Sequence, residues 1–484
     1  MIKTEIHHKL YYMAEKTTVL SLANIISQNK EIVDSFLSEN ITVICINKST
    51  NAQKSISFKV MFENNKEFWL LNKTWEYYIE KDAYEKLLEL IASPDTVQRG
   101  TYDQGEGEAA PKESDESDAD NGFGDEYDAI AAMEDFERAK KIMEGSVILE
   151  SLIEKKPKEE KEVTEALVST VKITMLHNHA ALLNTLTLTS EEAKKQTQDI
   201  VDSTKEFVKS SSLLISENIF NDDLMNTLVS ESNGTIIQHM IRTYLNGLAF
   251  LSYYNKAVTS SSLITRLRVS FDEKHRDFYH QLLPHLDRED ITLERVFMGG
   301  MRAISEDDFL KWATGFLIHD LGKAAAVEYH EGEEAYNRDI VVEHIKIGYD
   351  SVMNKTNYPR ESGLITGYHH EYYGNPSGYG YFRSYLEQYK KANPNAEQNY
   401  FITLDLKPVI DCEALAYFPA KVLEIIDVFD SVTDPARKYR KAMTPVEALK
   451  MMEEEFIIKE PKIDLILFEI FSKFINEMPA NKAA

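Results

Sequence analysis

An apolar helix that ends in an adjacent His-Asp pair is the strongest constraint in this sequence, because the chain repeats the arrangement downstream. Phe309 to Ile318 reads as the helix, and His319-Asp320-Leu321-Gly322-Lys323 follows it. His344 stands 25 residues after His319, in Val342-Glu343-His344-Ile345-Lys346-Ile347-Gly348, and His369-His370-Glu371 begins another 25 residues on. Asp427 and Asp430 lie in Ile425-Ile426-Asp427-Val428-Phe429-Asp430-Ser431. Four apolar helices therefore each present an imidazole or a carboxylate. A carboxylate between Ile426 and Val428 is costly to bury unless it meets a cation or hydrogen-bond donors. Imidazole and carboxylate together suit a divalent ion such as Fe, Mn or Zn. A carboxylate between two ions can bridge them, and two ions about 3.5–4 Å apart can share a hydroxide and clamp a phosphate.

The rest of the 484-residue chain divides by composition. Residues 1–95 read as a small α+β domain of unknown role. Its strands are expected at Ile41–Ile46, Ile56–Phe62 and Phe68–Leu71, with a helix from Tyr77 to Ile91. From Asp103 to Asp128 there are eleven acidic residues and one lysine, a net of −11 + 1 = −10. Such a stretch buries too little apolar surface to offset its chain entropy, so 96–130 is expected to be an acidic, disordered linker. Residues 131–224 are expected to be a helical connector. There His177 and His179 are two apart and point to different sides of a helix, so they read as ordinary helix residues. Residues 225–484 carry the chemistry.

Charge narrows the partners. With 54 Lys and Arg against 80 Asp and Glu, the formal net charge is −26. That surface repels a phosphate backbone, which argues against a nucleic-acid polymer. No apolar stretch is long enough for a membrane helix. Cys45 and Cys412 make neither a zinc-finger spacing nor a disulfide framework. His7 and His8 stand where a signal peptide would need apolar residues. A cytoplasmic protein is expected.

Taken in order, these motifs resemble the HD superfamily of metal-dependent phosphohydrolases, and more narrowly its HD-GYP branch, whose members hydrolyse cyclic di-GMP. His319-Asp320-Leu321-Gly322-Lys323 matches the family's His-Asp-x-Gly-Lys, and His369-His370-Glu371 its His-His-Glu. Ser377-Gly378-Tyr379 stands where the Gly-Tyr-Pro loop belongs. Asp427 to Thr433 resembles the Asp-x-x-Asp-Ala-Leu-Thr helix, and Arg437 to Met443 the basic segment after it. The resemblance covers roughly 225–460. It implies a mainly α fold, with an HD-type helical bundle preceded by the connector and the N-terminal domain.

The resemblance also implies roles. His319, Asp320, His344, His369, His370 and Asp427 would hold two divalent ions, Fe or Mn, with Asp320 bridging. The family's first helix supplies a further histidine. His239 is preferred, because Arg242 follows three residues on and the apolar helix Tyr244 to Tyr254 comes next. His285 is the alternative, nearer the family's usual distance from the His-Asp pair. Relatives with a third metal carry a Glu four residues before that first histidine. Here the position is Thr235, which favours two ions, although Glu231 could substitute. Asp430 would orient a ligand. Asp320 and Lys323 would be catalytic, with Lys323 near the scissile phosphate. Tyr379, Arg437 and Arg440 would join Lys323 in holding the substrate. The reaction would be attack of a metal-bridging hydroxide on cyclic di-GMP, giving linear pGpG, with onward hydrolysis to GMP left open. Members of the family pair as dimers and contact diguanylate cyclases, so both are candidate partners.

The sequence departs from the family after His-His-Glu. Tyr372-Tyr373-Gly374-Asn375-Pro376-Ser377-Gly378-Tyr379-Gly380 lacks the family's Asp, gains one residue, and ends in Gly380 instead of Pro. Losing proline's fixed φ is expected to loosen this loop. Two insertions, near 258–302 and 381–412, flank the motifs. The second carries Tyr381, Phe382, Tyr385, Tyr389 and Tyr400, which are candidates for stacking on bases. Two other readings stay open. One is an HD-family phosphohydrolase of another nucleotide. The other is a signalling module that binds cyclic di-GMP or a partner without turnover.

Overall fold

The computed structural model describes, within the first 128 residues, only five strands. From 129 onward it describes all but 131, 156–159, 186–187, 219–235, 261, 325–337, 374–379, 381–392, 395–398, 435–441 and 479–484. The chain falls into two compact units, Met1–Asp115 and Glu116–Ala484.

The first unit holds an antiparallel sheet of β1 (Glu5–Ile6), β2 (Lys9–Met13), β3 (Thr42–Asn47), β4 (Gln53–Ser57) and β5 (Trp75–Glu80), in the order β1-β2-β5-β3-β4. Register is set by pairs such as Val43 with Ile56 and Cys45 with Tyr77. The helix expected from Tyr77 is a strand where it begins. Trp75-Glu76-Tyr77-Tyr78-Ile79-Glu80 is rich in aromatic and β-branched residues, which favour a pleated surface. The expected strand at Phe68–Leu71, residues 81–91 and the acidic stretch up to Asp128 lie outside the described residues.

The second unit is mostly helical. Four helices come first: α1 (Asp135–Lys155), α2 (Glu160–Thr185), α3 (Ser190–Gln196) and α4 (Gln198–Asn218). Next are α5 (Ile236–Thr259), α6 (Ser262–Lys274), α7 (Arg276–Leu282) and the single turn α8 (Leu293–Val296). The remainder are α9 (Glu306–Ile318), α10 (Arg338–Lys355), α11 (Arg360–Tyr368), α12 (Leu406–Ile410), α13 (Phe418–Thr433), α14 (Pro445–Glu453) and α15 (Leu465–Glu477). Helices α1 to α4, expected as a connector, pack in the same unit as the helices that carry the motifs. In particular, α4 lies against α5 and α9, and α2 against α5. No described helix is long and apolar enough to cross a membrane.

Two helices form the axis of this unit. In α5 every residue from Ile236 to Tyr254 except Gln238 is buried, and α13 is buried from Phe418 to Asp430. Each fully buried Leu, Ile or Phe contributes about 1.5–3 kcal/mol. Phe250 of α5 meets Phe471 of α15 edge to face at 5.4 Å, and Phe429 of α13 meets the same ring at 5.3 Å. Local signals fix the ends. Ser305 caps α9 by accepting from the Asp308 amide at 3.1 Å, and Glu306, Asp307 and Asp308 follow in its first turn. Thr444 and Glu447 form a reciprocal capping box on α14.

The two insertions meet in a three-stranded parallel sheet of two-residue strands, β6 (Phe297–Met298), β7 (Ile402–Thr403) and β8 (Ala416–Tyr417). β8 runs directly into α13, with Pro419 in the first turn where its missing N–H costs nothing. Of the aromatic residues in the second insertion, Tyr400 packs on the core, its ring 6.2 Å from that of Tyr373. Tyr381, Phe382, Tyr385 and Tyr389 lie outside the described residues.

Candidate metal centre

Five backbone elements bring seven buried histidine and aspartate side chains to one place. α5 supplies His239. The end of α9 supplies His319 and Asp320. α10 supplies His344, the end of α11 supplies His369 and His370, and α13 supplies Asp427. His319 and His369 are built alike, each being the C-cap residue of its helix. In His319, Nδ1 donates to the carbonyl of Phe316 at 2.8 Å, and in His369, Nδ1 donates to the carbonyl of Thr366 at 2.8 Å. Each bond puts the ring proton on Nδ1 and leaves the Nε2 lone pair facing the centre. A carbonyl three residues back thus does the orienting work usually given to a carboxylate.

His239 is oriented from the other side. Its Nδ1 lies 2.7 Å from Asp430 Oδ2, and Asp430 in turn accepts from Arg242 at 2.6 and 2.9 Å. Arg242 also donates to Asp434 at 2.8 Å. The histidine at the start of α5 and the arginine one turn on therefore grip the same carboxylate of α13.

Asp320 sits between two groups. Its Oδ2 is 3.5 Å from His239 Nε2 and 3.5 Å from His319 Nε2. Its Oδ1 is 3.1 Å from His344 Nε2 and 3.7 Å from His369 Nε2. Asp427 reaches both sides, with Oδ1 2.9 Å from His239 Nε2 and Oδ2 3.7 Å from His370 Nδ1. Three sets converge closely enough to hold a metal ion: His239 with His319 and Asp427; His319 with Asp320 and His369; and His344 with His369 and His370.

The residues fit a cation better than they fit one another. The Nε2 atoms of His319 and His369 are buried with no hydrogen-bond partner. His344 Nε2 and Asp320 Oδ1 approach to 3.1 Å without hydrogen-bond geometry. Buried polar atoms left unsatisfied cost about 1–3 kcal/mol each, and several lone pairs aimed at a common volume are what a divalent ion coordinates.

The electrostatics agree. Burial drives the rings of His319 to about 3 and His344 to about 4, and holds His370 well below its ordinary value. These three are neutral, as ligands must be. Burial pushes the Asp320 carboxyl up, but Lys323, His319 and the neighbouring imidazoles outweigh it and hold it well below the usual carboxylate range. Asp427 is likewise held low against burial by His239 and His370. His239 is the exception: burial lowers it, and Asp427 and Asp430 outweigh burial and raise it.

This pattern makes the metal-free protein sensitive to acid. Neutral histidines with folded values below the unfolded value of about 6.5 stabilise the fold above that pH, and their contribution is lost as pH falls through the folded values. His319, His344 and His370 act this way, whereas His239 contributes in the opposite sense and offsets only one of them. The denaturant midpoint measured in chelator is expected to fall steadily from pH 6.5 towards 4, at up to about 1.4 kcal/mol per histidine per pH unit. A midpoint constant across that range would contradict the neutral assignments.

Several other residues complete the site. Lys323, on the 3-10 turn Leu321–Ala324, brings Nζ to 2.5 Å from Asp320 Oδ2. Gly322 lets that turn nest on α10, since a Cβ there would lie 1.8 Å from the His344 carbonyl oxygen. The loop that Gly380 was expected to loosen, 374–379, lies outside the described residues, and Gly380 itself packs on Glu371. A Cβ at Gly380 would lie 2.2 Å from Glu371 Oε2, and the Gly380 amide donates to the His370 carbonyl at 3.2 Å. Glycine here serves close approach. His285 is exposed on the turn after α7 and takes no part in the three sets. Tyr379, Arg437, Arg440, Glu231 and Thr235 lie outside the described residues.

Two features escaped the sequence reading. Lys421 is buried on α13, paired with Glu424 at 2.5 Å, and donates to the Glu371 carbonyl at 3.0 Å, tying the His-His-Glu turn to α13. Burial raises Glu424 to about 8. The signal was there: a Lys and a Glu three apart on an otherwise apolar helix. The second is His179 of α2. It is fully buried, and Asp320, His319 and Lys323 act on its ring, which burial lowers to about 3. A scan against protein-family models and searches of curated proteins and of solved structures return no match to this chain.

Proposed function

We propose that the chain is a metal-dependent phosphodiesterase of the HD-GYP kind that opens cyclic di-GMP to linear pGpG. One observation carries the reading. Asp320 turns one oxygen to His239 and His319 and the other to His344 and His369, and Asp427 closes both sides. Such a set would hold two divalent ions with Asp320 between them, and its mixture of imidazole and carboxylate is compatible with Fe, Mn or Zn, of which the resemblance favours Fe or Mn. When bound, the ions supply positive charge against the phosphoryl oxygens and lower the pKa of a water.

The chain's own residues do the rest. The carbonyls of Phe316 and Thr366 and the carboxylate of Asp430 hold three imidazoles in a fixed tautomer, so no reorganisation is needed as charge develops. Lys323, anchored on Asp320, places an ammonium beside the centre. As the P–O bond to the ribose 3′ oxygen breaks, that ammonium stabilises the leaving oxyanion or gives it a proton. On a surface of net charge −26, such a local cation is what admits an anionic substrate.

The test is metal content of anaerobically purified protein together with turnover on the same sample. About two Fe or Mn per chain and linear pGpG as product are expected. The altered segment from Tyr372 to Gly380 favours a second reading, another nucleotide as substrate, and two metals without cyclic di-GMP turnover would select it. No metal after reconstitution would overturn the enzyme reading.

A further inference from the structure

The helices before the motifs grip the hairpin that carries half of the candidate ligands. α10 presents His344 and α11 presents His369 and His370, and the two are joined by a short turn that includes Thr356, Asn357 and Tyr358. Four bonds tie this turn and its edges to α2, α4 and the residues on either side of α3. The Tyr358 hydroxyl donates to Asn178 Oδ1. Asn357 Nδ2 donates to Gln198 Oε1 at 2.6 Å. The Lys355 carbonyl accepts from Thr197 Oγ1 at 3.3 Å, and Lys355 Nζ donates to the Leu188 carbonyl.

Asn178 is the buried centre of this clamp. Its Nδ2 donates to the Thr174 carbonyl and to Thr204 Oγ1 of α4, each at 2.9 Å. With Tyr358 on Oδ1, every side of the amide is committed, and Asn178 and Tyr358 are both buried. The same helix, α2, also packs on the Leu321–Ala324 turn that directly follows His319 and Asp320. One helix therefore touches both halves of the ligand set: the turn next to Asp320, and the base of the hairpin that bears His344 and His369. His344 lies eleven residues before Lys355, and His369 eleven after Tyr358. At 1.5 Å per residue, a tilt at the base moves ligands about 16 Å away. Rigid helices carry such a tilt without absorbing it.

We propose that the Asn178–Tyr358 pair is a positioning device that sets the distance between the His344/His369/His370 ligands and Asp320, which makes helices α2 to α4 part of the metal centre. The inference rests on the reading of the site as a metal centre and adds to it residues that touch neither ion nor substrate.

The test is Co(II) titration of the full chain, read by visible d–d absorption and stoichiometry, with thermal unfolding alongside. Wild type is expected to take two ions. Tyr358→Phe removes one hydroxyl and little volume. It is expected to keep the ion on the His239/His319/Asp427 side and to bind the other about tenfold more weakly, with a changed absorption band. Tyr253→Phe, which loses a hydroxyl bonded to Glu477 on α15, is expected to bind both as wild type does. Two ions bound normally by Tyr358→Phe, with only a lower Tm, would overturn the proposal. Should that variant fail to fold, the exposed Asn357→Ala carries the test: a several-fold weakening of one ion supports it, and unchanged binding overturns it. A wild type that takes no Co(II) overturns the metal reading itself, which is seen before any variant is made.

Discussion

Asp320→Asn is expected to lower phosphodiesterase turnover by at least about a thousandfold and to strip the purified protein of bound metal. The expectation comes from the number of groups that share one carboxylate. Oδ2 lies within 3.5 Å of His239, His319 and Lys323, and Oδ1 within 3.7 Å of His344 and His369. An amide keeps one acceptor oxygen and turns two N–H donors towards lone pairs, so at best one side keeps a ligand. The substitution is nearly isosteric, which keeps packing out of the comparison. Lys323→Met separates the roles: it should leave metal content unchanged and lower kcat by about a hundredfold or more, because only the ammonium at the leaving oxygen is lost. Metal analysis and single-turnover rates on the two variants check both. Asp320→Asn protein that still carries two ions and turns over within tenfold of wild type would remove Asp320 from the centre.

How much of this was legible in the sequence depends on the kind of signal. His319, Asp320 and Asp427 left a local trace, a polar group at the end of or within an apolar helix, whereas His239, His344, His369 and His370 were placed by the resemblance and the order of its motifs; the fold brings all seven together. The hydrophobic run tells where the helix is, and the one polar residue at its end or within it is out of place unless it is used. The same trace marked Lys421 and Glu424, and there it was overlooked. Tertiary partners leave no such trace. Nothing near Asn178 or His179 says that α2 lies against the Asp320 turn, since a Ser- and Thr-rich helix reads alike whether it links domains or packs in one. Strand and helix patterns also overlap over short runs, and Tyr77 to Ile91 satisfied helical spacing while Trp75 to Glu80 pairs as β5. The strands of the small parallel sheet are two residues each, too short for any period. Gly380 was read through the dihedral that proline would have fixed. The folded chain adds a separate fact that no dihedral carries, the nearness of Glu371.

Gly322→Ala puts the same lesson to a stability measurement. Alanine favours helical backbone over glycine by about 1 kcal/mol, so on local grounds the change in the 321–324 turn should stabilise. Packing argues the reverse. The new Cβ would lie 1.8 Å from the His344 carbonyl oxygen, 2.7 Å from its carbon and 2.8 Å from the Gly348 amide nitrogen. All three are backbone atoms, so no rotamer change relieves the contact, and α10 must move away from the turn. Overpacking of side chains typically costs about 1–3 kcal/mol. A backbone contact should reach the top of that range or beyond, a fall in Tm of about 4 °C or more for a unit of this size. Gly348→Ala makes the natural comparison. Its Cβ would meet a Thr366 methyl at 2.8 Å, a side-chain atom that can yield, so a smaller loss is expected. The direction of movement matters as much as the cost. Displacing α10 carries His344 away from Asp320, so Gly322→Ala should bind the ion on that side more weakly even at temperatures where the protein is folded. A Tm at or above wild type would mean that α10 does not sit on Gly322. The glycine of His-Asp-Leu-Gly-Lys would then be a feature of the turn alone, with no part in setting the distance between ligands.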